Sequence, residues 1–129
     1  MTTPGSTTAA SVSPAQLLAS ADRLLSATTI STTGVWPRAA ALLLRHALEE
    51  ALRSYWQRVR PQLARVPTHA QVLCLESYAG AEAARRWSSV WSNLSQACHY
   101  HGYELSPVPA ELRDWREEVA AVISLLPSG

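Results

Sequence analysis

The sequence contains no lysine and no phenylalanine, and it has only two cysteines and one methionine. All eleven basic side chains are therefore Arg. This is the bias a GC-rich coding sequence produces, although a planar guanidinium also grips phosphate in a way that an ammonium does not. Cys74 and Cys98 both fall in helix-patterned segments, and so sparse a pair reads as reduced core residues rather than a disulfide framework. No apolar run approaches the roughly 20 residues that span a bilayer. Arg45, His46 and Glu49 interrupt the best candidate, which argues against a membrane protein. Residues 1–12 are rich in Thr, Ser, Ala and Gly and lack the basic start and apolar block of a secretory signal, so a cytoplasmic location is expected. A glycine-rich phosphate loop, a Gly-x-Ser-x-Gly elbow and a His-Glu-x-x-His zinc motif are all missing, and no cofactor is expected. Cys98 and His101 have helical metal-ligand spacing and would need Cys74 or His69 to complete a set. Ligands so scattered are a weak signature, and no metal site is expected.

What is present is a chain of 129 residues, 47% hydrophobic, with five Trp, the size and composition of one domain with one core. The net charge of +1 conceals an uneven distribution. Arg53, Arg58, Arg60 and Arg65 form a run with no acid among them, whereas Glu104, Glu111, Asp114, Glu117 and Glu118 outweigh Arg113 and Arg116 near the end. Solvated helix faces explain such runs, and a local RNA-facing patch is the sharper alternative.

Residues 1–12 lack large apolar groups and are expected to form a flexible tail, with the helical domain spanning 13–126. Ser13, Pro14 and Gln16 spell an N-cap, a proline at the first helical position and a capping-box partner. Leu17, Leu18, Ala21, Leu24 and Leu25 then share a face of a helix ending near Thr28. The stretch from Thr28 to Gly34 suits a loop. Pro37 opens a second helix with Ala41, Leu44, Leu48, Ala51, Leu52, Tyr55 and Val59 on its seam, stopped by Pro61. Arg45, Glu49 and Arg53 follow at i,i+4 steps, as on an exposed stripe. Thr68 is placed to cap a third helix containing Val72, Leu73, Leu75 and Tyr78, with Gly80 as its stop. A fourth helix, from about Ala81 to Tyr103, carries Ala84, Trp87, Trp91, Leu94, Cys98 and His101 on its seam. A fifth carries Leu112, Trp115, Val119, Val122 and Leu126. Strand-like alternation is missing, so the expected fold is all-α, a compact four- to five-helix bundle.

Chemistry concentrates in Ser92 to Leu105, SNLSQACHYHGYEL, where His99, Tyr100, His101 and Tyr103 fall within five positions. On an ideal helix these groups do not face one point. They converge only if the helix ends or distorts near Gly102, or if a second subunit supplies half of a site. A His on an apolar seam beside Cys and Leu also reads as a core histidine.

Two segments resemble the HEPN superfamily, small helical bundles of prokaryotic toxin–antitoxin and defence systems, many of them metal-independent ribonucleases. RAAALLLRHALEEALRSY, from Arg38 to Tyr55, is similar to the long Leu/Ala-rich helix of such domains. His101-Gly102-Tyr103 resembles the end of the family's Arg-x4-6-His motif. Together they span the middle two-thirds of the chain. The resemblance implies an Arg–His pair at a scissile phosphate, with Arg holding it and His transferring a proton. Counting back from His101, however, gives Gln96, Ser95 or Leu94, and from His99 it gives Leu94, Asn93 or Ser92. The candidate site is therefore His101, Tyr103 and Gln96, with Arg53, Arg58, Arg60, Arg65, Arg85 and Arg86 as candidate RNA contacts. The expected function is a non-catalytic binding or regulatory component with RNA, a nucleotide or a protein as partner, and with a homodimer as one expected form. Two alternatives stay open. One is an active endoribonuclease in which Arg85, Arg86 or a partner's Arg replaces the missing one. The other is a protein-interaction module whose Trp87, Trp91 or Trp115 reaches an edge.

Overall fold

The computed structural model describes residues 12–26, 36–99 and 109–126. The chain enters its first helix, α1 (Pro14–Ser26), through the reciprocal bonds its sequence spells. The Ser13 amide donates to Gln16 Oε1 at 3.0 Å, and the Gln16 amide donates to Ser13 Oγ at 3.1 Å. Two amide donors at the helix start are thereby satisfied. Leu17, Ala21 and Leu25 point into the core. Thr28 and the loop expected through Gly34 lie outside the described residues, as do residues 1–11 of the expected tail.

The second helix, α2 (Trp36–Val59), is the hub and packs against α1, α4 (Ala81–Cys98), α5 (Pro109–Leu125) and a 3-10 turn at Pro61–Arg65. Its small and large apolar residues alternate. Ala40, Ala41, Ala47 and Ala51 admit neighbouring backbones, while Leu44, Leu48, Leu52, Tyr55 and Trp56 fill the space between them. Val59, expected on this seam, is instead 38% exposed, because the last turn overruns the core before Pro61, lacking an amide, ends the helix. The stripe of Arg45, Glu49 and Arg53 also departs from expectation. Arg45 and Glu49 are half-buried against α4, and Arg53 turns to Glu50 at 2.7 Å.

In α3 (Thr68–Ala79), Thr68 is the first helical residue and Pro67 occupies the cap position, so no hydroxyl cap forms. The buried Gln71 stabilises this end instead, donating its side-chain amide to the carbonyls of Val66 at 2.8 Å and Ala64 at 3.5 Å. Of the apolar residues expected on this helix, Leu75 is buried, Leu73 faces outward, and Tyr78 is partly exposed with its ring edge-on to Trp56. Gly80, at φ 100°, separates α3 from α4. Its amide closes α3 on the Glu76 carbonyl, and its own carbonyl accepts from Ala84 to open α4.

Along α4, Ala83, Trp87, Val90, Leu94, Ala97 and Cys98 are buried. The helix ends at Cys98, short of the expected Tyr103, with the His99 amide donating to the carbonyls of Ser95 and Gln96. Leu112, Val119, Val122 and Leu126 bring α5 into the core, with Trp115 at its margin. Arg116 grips Asp22 of α1 through two bonds of 2.8 and 2.9 Å, and Arg86 of α4 grips Glu118 through two of 2.9 and 2.8 Å. The result is an all-α bundle of five helices, with no strand among the described residues and no helix among them long and apolar enough to cross a membrane.

Candidate functional site at the junction of α2 and α4

The two longest helices run antiparallel, because Leu48 meets Trp87 while Arg38, ten residues earlier, meets Cys98. This register places the start of α2 beside the end of α4. At their shared face Glu49 Oε2 accepts from Trp91 Nε1 at 2.8 Å and from Arg45 Nε at 3.2 Å. The Arg45 guanidinium lies 5.9 Å from the Trp91 ring centroid, within cation–π range, and Trp91 stacks on Trp87 with centroids 5.9 Å apart. One carboxylate, one guanidinium and an indole thus lock the helices at mid-length.

Toward the end of α4, Arg38 Nε donates to the Cys98 carbonyl at 2.8 Å. The last carbonyls of a helix have no intrahelical donor and carry the negative end of its dipole, so a cation there satisfies both needs. Arg38 is nonetheless exposed, and no carboxylate among the described residues pairs with it. One nitrogen anchors the guanidinium to the helix end. Burial pushes the Cys98 thiol up from its ordinary value, and the neighbouring Arg45 and Arg38 oppose that rise. The nearby Ser95 hydroxyl is enclosed without a hydrogen-bond partner among the described residues.

The residues singled out from sequence are placed unevenly. His101 and Tyr103 lie outside the described residues, and exposed His99 is the last described residue before them. Gln96 is exposed on α4, and its side chain makes no hydrogen bond among the described residues. The arginines do not form one patch. Arg53 pairs with Glu50, and Arg86 is committed to Glu118 and more loosely to Glu82. Arg60 reaches the Tyr78 hydroxyl at 3.4 Å, and Arg58 and Arg65 are exposed near it in sequence. Arg85 lines a groove between α3 and α4. The two cysteines are free, Cys98 buried and Cys74 partly so. No group of three or more His, Cys, Asp or Glu able to hold a metal occurs among the described residues.

Sequence reasoning missed Arg38, which it took only as the start of a leucine-rich helix, and the joint role of Arg45, Glu49 and Trp91. The i,i+4 spacing of Arg45 and Glu49 was a signal for the pair but not for the Trp opposite. The antiparallel register that brings Arg38 to Cys98 is a tertiary property. No family model matches the chain, and no curated protein or solved structure matches it either.

Proposed function

We propose that this chain is a HEPN-like helical domain that binds RNA or a nucleotide at the end of α4, as a non-catalytic or regulatory component of a bacterial defence or toxin–antitoxin type system. The observation that carries this reading is Arg38. The motif's arginine position on α4 holds Gln96, which supplies no charge, whereas α2 presents an exposed guanidinium, without a carboxylate partner among the described residues, on the carbonyl of Cys98, three residues of chain before His101. An anchored guanidinium suits phosphate recognition, because its planar fork matches phosphate oxygens.

The same residue favours a second reading, a metal-independent endoribonuclease. There Arg38 would hold the scissile phosphate in place of the missing motif arginine, and His101 would take the proton of the 2′-hydroxyl as its oxygen attacks phosphorus, the P–O5′ bond breaks and the 5′-oxygen leaves with a proton from water, giving a 2′,3′-cyclic phosphate. One assay separates the two, namely cleavage of a mixed RNA substrate without added metal by wild type, His101→Ala, Arg38→Gln and Gln96→Arg, with binding measured alongside. The binding reading predicts RNA affinity that falls in Arg38→Gln and no cleavage by wild type. Cleavage lost in both His101→Ala and Arg38→Gln establishes the enzyme instead. Neither binding nor cleavage by any form overturns both.

A further inference from the structure

The groove between α3 and α4 is a second surface, about 20 Å along α4 from Cys98 by helical rise. It encloses about 560 Å³ and is lined on its apolar side by Val72, Leu73, Ala81 and Ala84. Leu73 is 69% exposed, the most exposed of the large hydrophobic residues described. Its position follows from the short α3, which packs on α4 and turns only Gln71 and Leu75 fully inward. The charges around this lining do not balance. Arg86 forks onto Glu118 of α5, and Arg85 also acts on that carboxylate. Glu82 keeps only a loose contact with Arg86 at 3.5 Å, with its side chain 67% exposed. Glu76, on the opposite wall, has no ion-pair partner among the described residues. Arg85 and Arg86 are thus drawn toward an acid of α5, and the carboxylates of the groove itself are left under-neutralised.

We propose that this groove takes a basic amphipathic helix of a partner protein, with aliphatic side chains against Leu73 and Lys or Arg beside Glu76 and Glu82. A helix fits the shape. Ala81, Ala84 and Ser88 follow at three-and-four spacing along α4 and are small, so a ridge of a third helix enters between α3 and α4. Covering Leu73 supplies the apolar gain. Charge complementarity sets the sign of the partner, because under-neutralised carboxylates attract a cationic segment and repel an anionic one. The same repulsion turns RNA away from this face, and the proposal does not depend on the RNA reading, because it uses no residue of the last turn of α4. A second copy of the chain is disfavoured too, since a two-fold contact through the groove brings two acidic rims together. The small area implies a weak, transient complex rather than an obligate one.

Selection of a displayed random-peptide library on the full chain tests it, with peptides of about 15 residues, long enough to form a helix when bound. Selected peptides are expected to carry aliphatic residues at three-and-four spacing with Lys or Arg beside them. Synthesised singly, they are expected to bind wild type with dissociation constants of about 1 to 100 μM by fluorescence anisotropy. Leu73→Ser and Glu76→Arg are each expected to weaken binding about tenfold, as is replacement of the peptide's basic residues by Glu. Glu76→Arg is expected to bind the Glu-substituted peptide more tightly than wild type does, because the charges then oppose again. Leu73 and Glu76 are exposed, so both variants are expected to keep the wild-type melting transition by circular dichroism. A library that yields no binder, or binders without an excess of basic residues, overturns the proposal. So does peptide binding that neither substitution weakens, or a wild-type dimer in sedimentation velocity that Leu73→Ser dissociates, which would make a second copy the occupant.

Discussion

Three tryptophans show how one side-chain type takes three roles according to where its N–H points. Trp87 is fully buried and donates to the Leu48 carbonyl at 3.3 Å. Trp56 is equally buried, packed edge-on between Tyr55 and Tyr78, but its N–H finds no partner among the described residues. Trp91 is only partly buried and bonds a carboxylate. Trp→Phe at 56 removes an orphan donor along with some packing, whereas at 87 it removes a made hydrogen bond and leaves the Leu48 carbonyl with its helical donor alone. Trp56→Phe is therefore expected to cost about 1–3 kcal/mol less than Trp87→Phe in urea unfolding. Equal losses would mean that the Trp56 donor is satisfied in solution. The cysteines divide in a similar way. Burial holds Cys98 in its thiol form while Cys74 is partly open, so a thiol-reactive probe at neutral pH is expected to label Cys74 well before Cys98. Faster labelling at Cys98 would mean that the end of α4 opens readily.

Among the elements, α1, α2 and α5 were legible because three-and-four spacing reports one buried face directly, and Ser13 with Gln16 spelled a cap that forms as written. α3 was legible in extent but not in orientation. Twelve residues with apolar groups all round give no dominant face, so Leu73 looked like core although it points outward, and Tyr78 touches the core only through Trp56. Its start was misassigned because Thr68 matches a capping residue by type, while the buried Gln71 supplies the stabilising bonds from within. Gly80 was legible as a stop, and its backbone explains why. At φ 100° and ψ 160° it occupies a region that side chains rarely enter, although open space surrounds it. Gly80→Ala is expected to cost about 1–3 kcal/mol through backbone strain alone. A neutral substitution, read by thermal unfolding, would show that the α3–α4 corner relaxes into another turn. At the candidate site only the local part could be read. His101, Gln96 and the i,i+4 pair of Arg45 and Glu49 are visible along the chain, but the bond from Arg38 to the Cys98 carbonyl depends on the packing of helices whose contacting residues are 60 positions apart.

Across the whole molecule, α5 is tied to the rest by two paired forks, Arg116 on Asp22 and Arg86 on Glu118. The hydrogen bond from Arg86 holds the Glu118 carboxyl below its ordinary value. A carboxyl depressed in the folded state contributes stability above its unfolded value and loses it as the pH falls through the folded one. The melting temperature of wild type is therefore expected to fall between about pH 5 and pH 3. Glu118→Gln is expected to be less stable at pH 7 and to lose less over the same interval, and an unchanged slope would place acid sensitivity elsewhere. The same packing that fixes α5 keeps Arg86 occupied with acids, and the proposed RNA reading therefore rests on Arg38 at the end of α4. The most direct test of that assignment is the salt dependence of single-stranded RNA binding by wild type and Arg38→Gln, read by fluorescence anisotropy. Wild type is expected to bind with an affinity that drops as salt rises. Arg38→Gln is expected to bind about tenfold more weakly, with a log–log salt slope shallower by about 0.7, the value of one phosphate contact on a single strand. Affinity and slope unchanged by the substitution would contradict the account.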